Sequence, residues 1–591
     1  MKYDLTEFNS AVSAYKKLLG NVNGKDFLFV MDAGSQVAFY SIAPLSRAVH
    51  ELGADMSIIC SNRKLESFDA IKGVWAAFES GSGDIHKSLT DFISEVDKKC
   101  NGEFKNIFNK PDFIFTFNKS AGNFEDSFSK LSLPSNDKWF KPYRMEELKK
   151  TMKIIWKDVY NIKKKERIGL GFPLIARQEL LGHPLEDYLD SYSIIWASMD
   201  TANELGEIIV SSSTQRESML ENPERVSELR ATLMGCELER DIDDVIFSKY
   251  KRVSKLLRLD RIRPVDATFF VSGKGYAGKH LFGERIGYPT QDKKSRWQSP
   301  GQMIYKLDFY PQSKFESRDP MARVGFTETV PIDIFIETSL VDWADIRNRN
   351  QRLKDVMDKC DVIYVEGNLK EKYTTKLEVG LVKKDGIRRW VRRSDTDVRE
   401  KLNLDYLKMT GIRAGNMANI PGGEAFVTPE YIKGIFVGDV VIHVDQSYVL
   451  NEKNPIVVEC FGDHYKIKDG PKDIISKVNK RKKEAMDLLL QAEKHKSLPS
   501  DIIELKKKNF ERIGEFAINT NPKARLCDYL IVNEKIAKMM HIAMGSGFEP
   551  DRSTEYHMDI VFNAPRQKLD VYGVDKQGNE HWILRNGEFV F

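Results

Sequence analysis

The stretch 26–60, "DFLFVMDAGSQVAFYSIAPLSRAVHELGADMSIIC", decides the fold class of the first part of the chain. Its two ends, 26–31 and 55–60, are apolar runs typical of buried strands, and the segment 36–52 between them has helical apolar spacing. Another such run at 112–117 predicts a further strand. A strand, a helix and a strand in this order indicate a parallel α/β layer, so we expect a Rossmann-like sheet here.

The region from 140 to 260 differs from the preceding one in its predicted secondary structure. Strand signals fade there, and two segments, 145–160 and 225–259, have the apolar spacing of amphipathic helices. The sequence therefore predicts a helical insertion in the α/β region.

Strand signals return after the insertion, at 267–271 and 332–338. A predicted helix over 343–360 then leads into a predicted strand at 361–367, which indicates that the α/β pattern resumes. Beyond about 370, turn dipeptides join short strands, so we expect an α+β, β-rich C-terminal domain with helices between 471 and 512. The predicted divisions are 1–139, 140–260, 261–369 and 370–591.

Composition restricts the class of protein. At 591 residues the chain is longer than one hydrophobic core usually supports, and its net charge of +4 is too small to argue for a nucleic-acid partner. No apolar run reaches the length of a membrane span, and the first residues do not resemble a secretory signal. Six scattered cysteines without a C-x-x-C pair indicate a reducing cytoplasm.

Near the C-terminus, "HIAMGSGFEPDRSTEYHMD" (541–559) contains His541, His557 and Asp559. Imidazole nitrogens and a carboxylate oxygen are ligands for divalent ions such as Zn²⁺, Co²⁺, Mn²⁺ or Fe²⁺. His557 and Asp559 form an H-x-D pair, whose side chains share one face if the segment is a strand. A second H-x-D pair, His443 and Asp445, shows that this pattern alone is weak evidence, and we expect the second pair to lie outside any metal site.

Two glutamates stand in motifs that precede this stretch. Glu424 follows a Pro-Gly-Gly bend in "NIPGGEAFVTPE" (419–430), and Glu515 lies in "RIGEFAINTNP" (512–522). Each glutamate on its own would be interpreted as a solvated surface residue. Their order along the chain relative to the histidines gives them their significance.

The order P-x-G-E, then G-E before apolar residues, then H-x-A-x-G, then S-x-x-x-H-x-D resembles the thermophilic metallo-aminopeptidase family of the aminopeptidase T and aminopeptidase S type. The resemblance is specific over about 415–591, weaker over 8–60, and without a match over about 140–330. It implies a homodimeric hydrolase that removes N-terminal residues from peptides, using two divalent metal ions such as Zn²⁺, Co²⁺ or Mn²⁺. The ligands that it implies are Glu424, Glu515, His541, His557 and Asp559. Either glutamate could be the general base.

The sequence departs from the family pattern at Phe548, where the peptidases typically have a tyrosine. The interval between His541 and His557 is also shorter than in the peptidases. This compact form is similar to relatives that include 2,5-dihydroxypyridine 5,6-dioxygenase, in which two histidines and one carboxylate bind a single Fe²⁺. An iron ring-cleaving dioxygenase and a metal-binding relative with little catalysis therefore remain alternatives to the aminopeptidase.

If the peptidase chemistry applies, Phe548 supplies no donor to the oxyanion of the tetrahedral intermediate, and such a donor typically contributes about 10²–10³-fold in rate. We expect Phe548→Tyr to raise kcat/KM if a donor is missing. If Arg552 or Tyr556 substitutes as donor, Arg552→Ala or Tyr556→Phe should lower kcat/KM by about tenfold or more. Unchanged kinetics in all three variants would show that Phe548 only packs and that this loop stabilises no oxyanion.

Overall fold

The computed structural model divides the chain into two compact units, which are described separately. The first unit is Met1–Lys274 with Tyr305–Ile336, and the second is Gly275–Ile304 with Glu337–Phe591. The residues that the structure describes are 2–23, 26–32, 36–61, 113–117, 138–141, 143–164, 166–171, 184–213, 267–272, 290–291, 294–295, 323–393, 417–494, 500–547, 549–552 and 554–591.

The described elements up to residue 339 include both helices and strands. They are α1 (Leu5–Leu19), β1 (Asp26–Asp32), α2 (Gln36–Glu51), β2 (Asp55–Ser61), β3 (Phe113–Phe117), α3 (Met145–Ile154), a π-helical turn (Ile155–Val159), β4 (Arg167–Gly171), α4 (Leu185–Asn203), β5 (Glu207–Ser213), β6 (Ala267–Ser272), the hairpin strands β7 (Thr290–Gln291) and β8 (Lys294–Ser295), β9 (Arg323–Glu328) and α5 (Ile332–Ser339).

Seven strands of the first unit form one sheet, in the order β9-β6-β4-β5-β2-β1-β3. Five of the six neighbouring pairs among these strands are parallel, while β2 and β5 are antiparallel. The strands that the sequence predicted at 26–31, 55–60, 112–117 and 267–271 are confirmed as β1, β2, β3 and β6. The Rossmann-like description of this region stays a prediction.

Helix α4 is central to the first unit, because nearly its whole circumference is buried. Its Asp190 accepts hydrogen bonds from the Tyr3 hydroxyl at 2.7 Å and from the Lys2 ammonium at 2.9 Å. A buried carboxylate needs such partners, since an unpaired charge away from water is unfavourable. The N-terminal residues therefore pack against α4 through a charged contact as well as through apolar side chains.

The remaining described elements, in which strands predominate, all lie in the second unit, which also contains β7 and β8. They are α6 (Trp343–Lys359), β10 (Cys360–Leu369), β11 (Tyr373–Gly380), β12 (Met417–Asn419), β13 (Glu424–Val427), β14 (Tyr431–Gly438), β15 (Val441–His443), β16 (Ser447–Val449), β17 (Ile456–Gly462), β18 (Tyr465–Asp469), α7 (Lys472–Lys494), α8 (Ser500–Asn509), β19 (Ile513–Asn519), α9 (Leu530–Asn533), β20 (Met539–Gly545), a 3₁₀ turn (Pro550–Arg552), β21 (His557–Asn563), α10 (Ala564–Gln567), β22 (Asp570–Asp575), β23 (Glu580–Arg585) and β24 (Glu588–Phe589).

Two large antiparallel sheets lie in the second unit, in addition to the β7–β8 hairpin. One has eight strands in the order β18-β17-β14-β11-β10-β22-β23-β24, and the other has six in the order β13-β19-β20-β21-β15-β16. Apolar side chains from both sheets pack into one hydrophobic cluster, which includes Val365, Phe436, Phe516 and Ile542. The six-stranded sheet therefore has one face in this core and a second face that can carry polar residues.

Several predicted elements differ from the structure. The strand predicted at 332–338 is wrong, because these residues form helix α5. The alternation in "IDIFIET" imitates a strand, but the buried Ile332, Phe335 and Ile336 have the spacing of a helix face. The strand predicted at 361–367 is present as β10, yet its neighbours β11 and β22 are both antiparallel to it, so it does not resume a parallel layer.

The span predicted as a helical insertion, 140–260, contains helices and strands. The helix predicted at 145–160 is confirmed as α3 and its π-helical turn. Strands β4 and β5, which the sequence analysis did not predict, also lie in this span and belong to the sheet of the first unit. The helical segment predicted at 225–259 lies outside the described residues, and the predicted domain boundaries stay predictions. Among the described helices, none has the length and apolar character needed to cross a membrane.

A pair of glycines in the second unit tests how closely its turns are packed. Gly587 and Gly578 both have left-handed backbone, with φ of +80° and +82°. A Cβ on Gly587 would lie 2.3 Å from Pro565 Cα, whereas a Cβ on Gly578 would meet no atom within 4 Å. We expect Gly578→Ala to lower the free energy of unfolding by about 1 kcal/mol, and Gly587→Ala by about 3 kcal/mol or more. Chemical denaturation of both variants measures this difference, and equal losses would contradict the packing at Gly587.

Candidate metal centre

The alternation of side chains along three neighbouring strands gathers imidazoles and carboxylates on one face. On β21, His557 and Asp559 alternate with Met558 and Ile560, which belong to the hydrophobic cluster. On β20, His541 lies between the cluster residues Met540 and Ile542, and on β19 Glu515 precedes Phe516 in the same way. Because successive side chains point to opposite faces of a strand, all of these polar groups share the face turned away from the core.

His541 is held from both sides by strand β19. It pairs in register with Ala517, whose neighbours on the same face of β19 are Glu515 and Asn519. The His541 Nδ1 lies 2.9 Å from Asn519 Oδ1, and its Nε2 lies 3.1 Å from Glu515 Oε1. The small side chain of Ala517 leaves room for the ring, so two residues of one strand fix its orientation.

His557 and Asp559 form a second polar pair on β21. His557 Nδ1 donates to the Ser546 carbonyl at 2.7 Å, and its Nε2 lies 3.2 Å from Asp559 Oδ1 and 3.9 Å from Glu515 Oε2. Burial alone would lower the pKa of His557, but the nearby negative charges, Asp559 first, outweigh burial and raise it to about 10. Burial would raise the pKa of Asp559, yet the charge of His557 outweighs it and lowers that pKa.

Glu424 enters the same cluster as the first residue of β13, the strand next to β19. It is 2% exposed, and its Oε2 lies 3.8 Å from His541 Nε2. Its other oxygen, Oε1, lies 2.7 Å from the ammonium of Lys535, which is itself fully buried. The same ammonium lies 2.9 Å from Glu534 Oε1.

Two groups of residues in the described part of the chain have ligand atoms close enough to hold a metal ion. Glu424, Glu515 and His541 form one group, and Glu534, His541 and Asp559 form the other, with all ligand atoms of each group within 4.8 Å of one another. His541 belongs to both groups. The structure therefore brings together all five residues implied by the family resemblance, with His557 joined to them through Asp559 and Glu515.

These residues fit a divalent ion on two observations. Asp559 is 1% exposed, and it forms an ion pair with His557 Nε2 at 3.2 Å, although neither carboxylate oxygen has a partner in good hydrogen-bond geometry. A buried carboxylate with few hydrogen-bond donors is stabilised by a cation, which can be the protonated His557 or a bound metal ion. The ligands are nitrogen and oxygen atoms, which suit Zn²⁺, Co²⁺ and Mn²⁺.

The second H-x-D pair differs from the first in its surroundings. Asp445 accepts a hydrogen bond from the Tyr448 hydroxyl at 2.6 Å, and neither Asp445 nor His443 belongs to the two groups. His443 is nevertheless near enough to Asp559 for its charge to contribute to the lowered pKa of that carboxyl. An iron dioxygenase would use two histidines and one carboxylate, here His541, His557 and Asp559. Neither of the two groups found in the described residues has this composition, because each contains a glutamate.

Arg552, a predicted oxyanion donor, takes part in a different charged cluster. Its Nη2 donates to the backbone carbonyl of Glu430 and lies 3.0 Å from the Glu430 carboxylate. Arg389, 1% exposed, binds the same carboxylate and also those of Glu549 and Asp551. Burial first, and then the charge of Arg389, lower the pKa of Arg552 to about 10.

Tyr556 and Phe548 complete the sequence-based candidates. The Tyr556 side chain lies in the hydrophobic cluster on the opposite face of the sheet from His557. Its hydroxyl donates to the Phe510 carbonyl and lies 2.7 Å from the Tyr465 hydroxyl. The structure therefore does not bring Tyr556 to the two groups, because it points into the core. Phe548 lies outside the described residues.

Three residues of this site, Asn519, Glu534 and Lys535, are not among the candidates predicted from the sequence. Asn519 had a detectable signal, because it stands four residues after Glu515 on the same face of a strand. Glu534 and Lys535 had none, since they follow the four-residue helix α9 and have no periodic pattern.

Asn519 should determine metal affinity through His541, because a hydrogen bond to one ring nitrogen orients the other nitrogen toward the ion. We expect Asn519→Leu to weaken Zn²⁺ or Mn²⁺ binding by about 10–100-fold, measured by titration calorimetry of the full chain. Asn519→Asp keeps an acceptor oxygen and serves as the matched control, with a smaller loss. If Asn519→Leu binds as tightly as the unmodified chain, the contact with His541 does not orient the ligand.

Among known proteins, the similarity found is to solved structures. No family model matches the sequence, and no curated protein matches it. The solved structure of wild-type AmpT from Thermus thermophilus is similar at 15% identity, over 76% of this chain and 100% of that chain, with a TM-score of 0.38. A TM-score this low carries no argument about fold or activity.

Proposed function

We propose that the chain is a metal-dependent hydrolase that removes N-terminal residues from peptides. The observation that supports this most directly is the pair of ligand groups sharing His541, one with Glu424 and Glu515 and the other with Glu534 and Asp559. His541 Nε2 can bind one ion, and the surrounding carboxylates with the neighbouring His557 offer ligands for a second; Zn²⁺, Co²⁺ and Mn²⁺ are the candidates for both. We infer peptides as the substrate from the order of the sequence motifs, which resembles that of the metallo-aminopeptidases.

The chain's own residues have separable roles in this proposal. Bound ions would polarise the peptide carbonyl and lower the pKa of a water molecule. Asn519 orients His541 by accepting a hydrogen bond from its Nδ1–H, and the Ser546 carbonyl orients His557 by accepting one from its Nδ1–H. Either Glu424 or Glu515 takes the proton of the attacking water. Of these two, Glu515 lies between both histidines, while Glu424 is already paired with Lys535.

The same proposal includes assembly and location. The sequence resemblance favours a homodimer, and the scattered cysteines favour a reducing cytoplasm. The three cysteines in the described part of the chain, Cys360, Cys460 and Cys527, are free thiols. Size-exclusion chromatography with light scattering would contradict the dimer if it found the mass of a single chain.

The activity should be hydrolytic and depend on the cluster. We expect the full chain with Co²⁺ or Zn²⁺ to release the chromophore from aminoacyl p-nitroanilides, and we expect EDTA to stop the release until metal is restored. Asp559→Asn should lower kcat/KM by more than about 100-fold, because it removes a buried ligand. Asp445→Asn is the matched control from the second H-x-D pair, and its kinetics should equal those of the unmodified chain.

Other outcomes would select the alternatives. Oxygen consumption with hydroxylated pyridines and no peptide cleavage would establish the iron dioxygenase. Bound metal without either activity would favour the third alternative, a metal-binding relative with little catalysis.

The identity of the general base follows from a second pair of variants, Glu424→Gln and Glu515→Gln. Loss of turnover with full metal content identifies the base, since removal of a ligand would reduce metal content as well.

A further inference from the structure

Lys535 connects the two ligand groups of the candidate metal centre. Its ammonium lies 2.7 Å from Glu424 Oε1, in the first group, and 2.9 Å from Glu534 Oε1, in the second. Its side chain is 0% exposed. One carboxylate of each group is therefore already paired with a cation that belongs to the chain.

The backbone around Lys535 fixes this arrangement. The Lys535 carbonyl accepts a hydrogen bond from Asn521 N–H at 2.9 Å, and the Asn521 carbonyl accepts one from Ala537 N–H at 3.0 Å. Residue 521 follows β19 by two positions, so Lys535 is tied to the strand that carries Glu515. Its position next to Glu424 thus depends on main-chain contacts as well as on charge.

The charge balance of the site depends on this lysine. The two groups contain four carboxylates, from Glu424, Glu515, Glu534 and Asp559, and the ammonium offsets one of their negative charges. One divalent ion with neutral histidines would leave the site with a single negative charge. A second ion would make it positive. Without the ammonium, two ions would balance the four carboxylates, and a buried site favours a balanced charge.

We infer that Lys535 sets the metal stoichiometry of the centre: its ammonium opposes the second divalent ion, so that one ion binds tightly and the second only weakly. The inference rests on the metal site of the proposed function, and it adds a determinant of how that site fills. Lys535 acts here as a positioning residue for Glu424 and Glu534, and it touches no reacting atom.

The experiment counts ions and compares affinities in the full chain. We expect the unmodified chain to retain one Mn²⁺ after dialysis against buffer without metal, measured by plasma mass spectrometry. Calorimetric titration with Mn²⁺ should then show a second, weaker site. In Lys535→Met, the affinity of the second ion should rise by about tenfold or more, because the opposing charge is removed. Lys535→Arg keeps the charge and should behave like the unmodified chain.

Lys506→Met is the matched control. Lys506 is also a buried lysine of the second unit, paired with Glu555, and it belongs to neither ligand group. Its loss should leave Mn²⁺ stoichiometry and affinity unchanged. Circular dichroism of each variant checks that it is folded, and the count on the unmodified chain does not depend on any variant.

Two equally tight ions in the unmodified chain would overturn the inference, and so would identical second-site affinities with and without Lys535. Parallel assays of peptide hydrolysis keep this test separate from the proposed function. Lys535-dependent stoichiometry without hydrolysis would reject the proposed function and retain the inference. Hydrolysis by a chain whose two ions bind independently of Lys535 would reject the inference alone.

Discussion

The two-residue period of the β-strand is the constraint on which the candidate centre depends. In β20, in β21 and in β19 from Glu515 onward, every second side chain enters the hydrophobic cluster of the second unit, so the core fixes the register of these strands. The residues between them are then forced onto the other face. A shift of one residue in any of these strands would move a histidine or carboxylate into the core and destroy both core and centre at once.

Register also explains how ligands that are distant in sequence come within a few ångströms. His541 lies opposite Ala517, and Asp559 lies opposite Ala543. An alanine opposite a ligand leaves space that the larger side chain occupies. The residues two positions before and after that alanine lie diagonally across from the ligand and supply its contacts. Glu515 and Asn519 do so for His541. The centre is therefore built from small residues as well as from ligands.

The sequence could predict this face but not all of its members. The H-x-D spacing at His557 and the alternation around Glu515 carry strand periodicity, which is local information. Glu534 and Lys535 reach the centre through tertiary contacts that no local pattern encodes. Tyr556 shows the converse, because its nearness to His557 in sequence suggested a shared role, while its side chain lies in the core and its hydroxyl donates to the Phe510 carbonyl. The strand prediction for "IDIFIET" (332–338) was wrong for a related reason, since alternating apolar residues can also form a helix face.

Lys535, buried among the carboxylates of the site, has a consequence for folding of the second unit before metal binds. Where a metal site contains only acidic side chains, their negative charges repel one another, and folding around the site is coupled to metal binding. Here an internal counter-ion is encoded in the polypeptide and is present from synthesis. Before any metal binds, this ammonium offsets one of the four carboxylate charges, so less unbalanced negative charge opposes folding of the second unit.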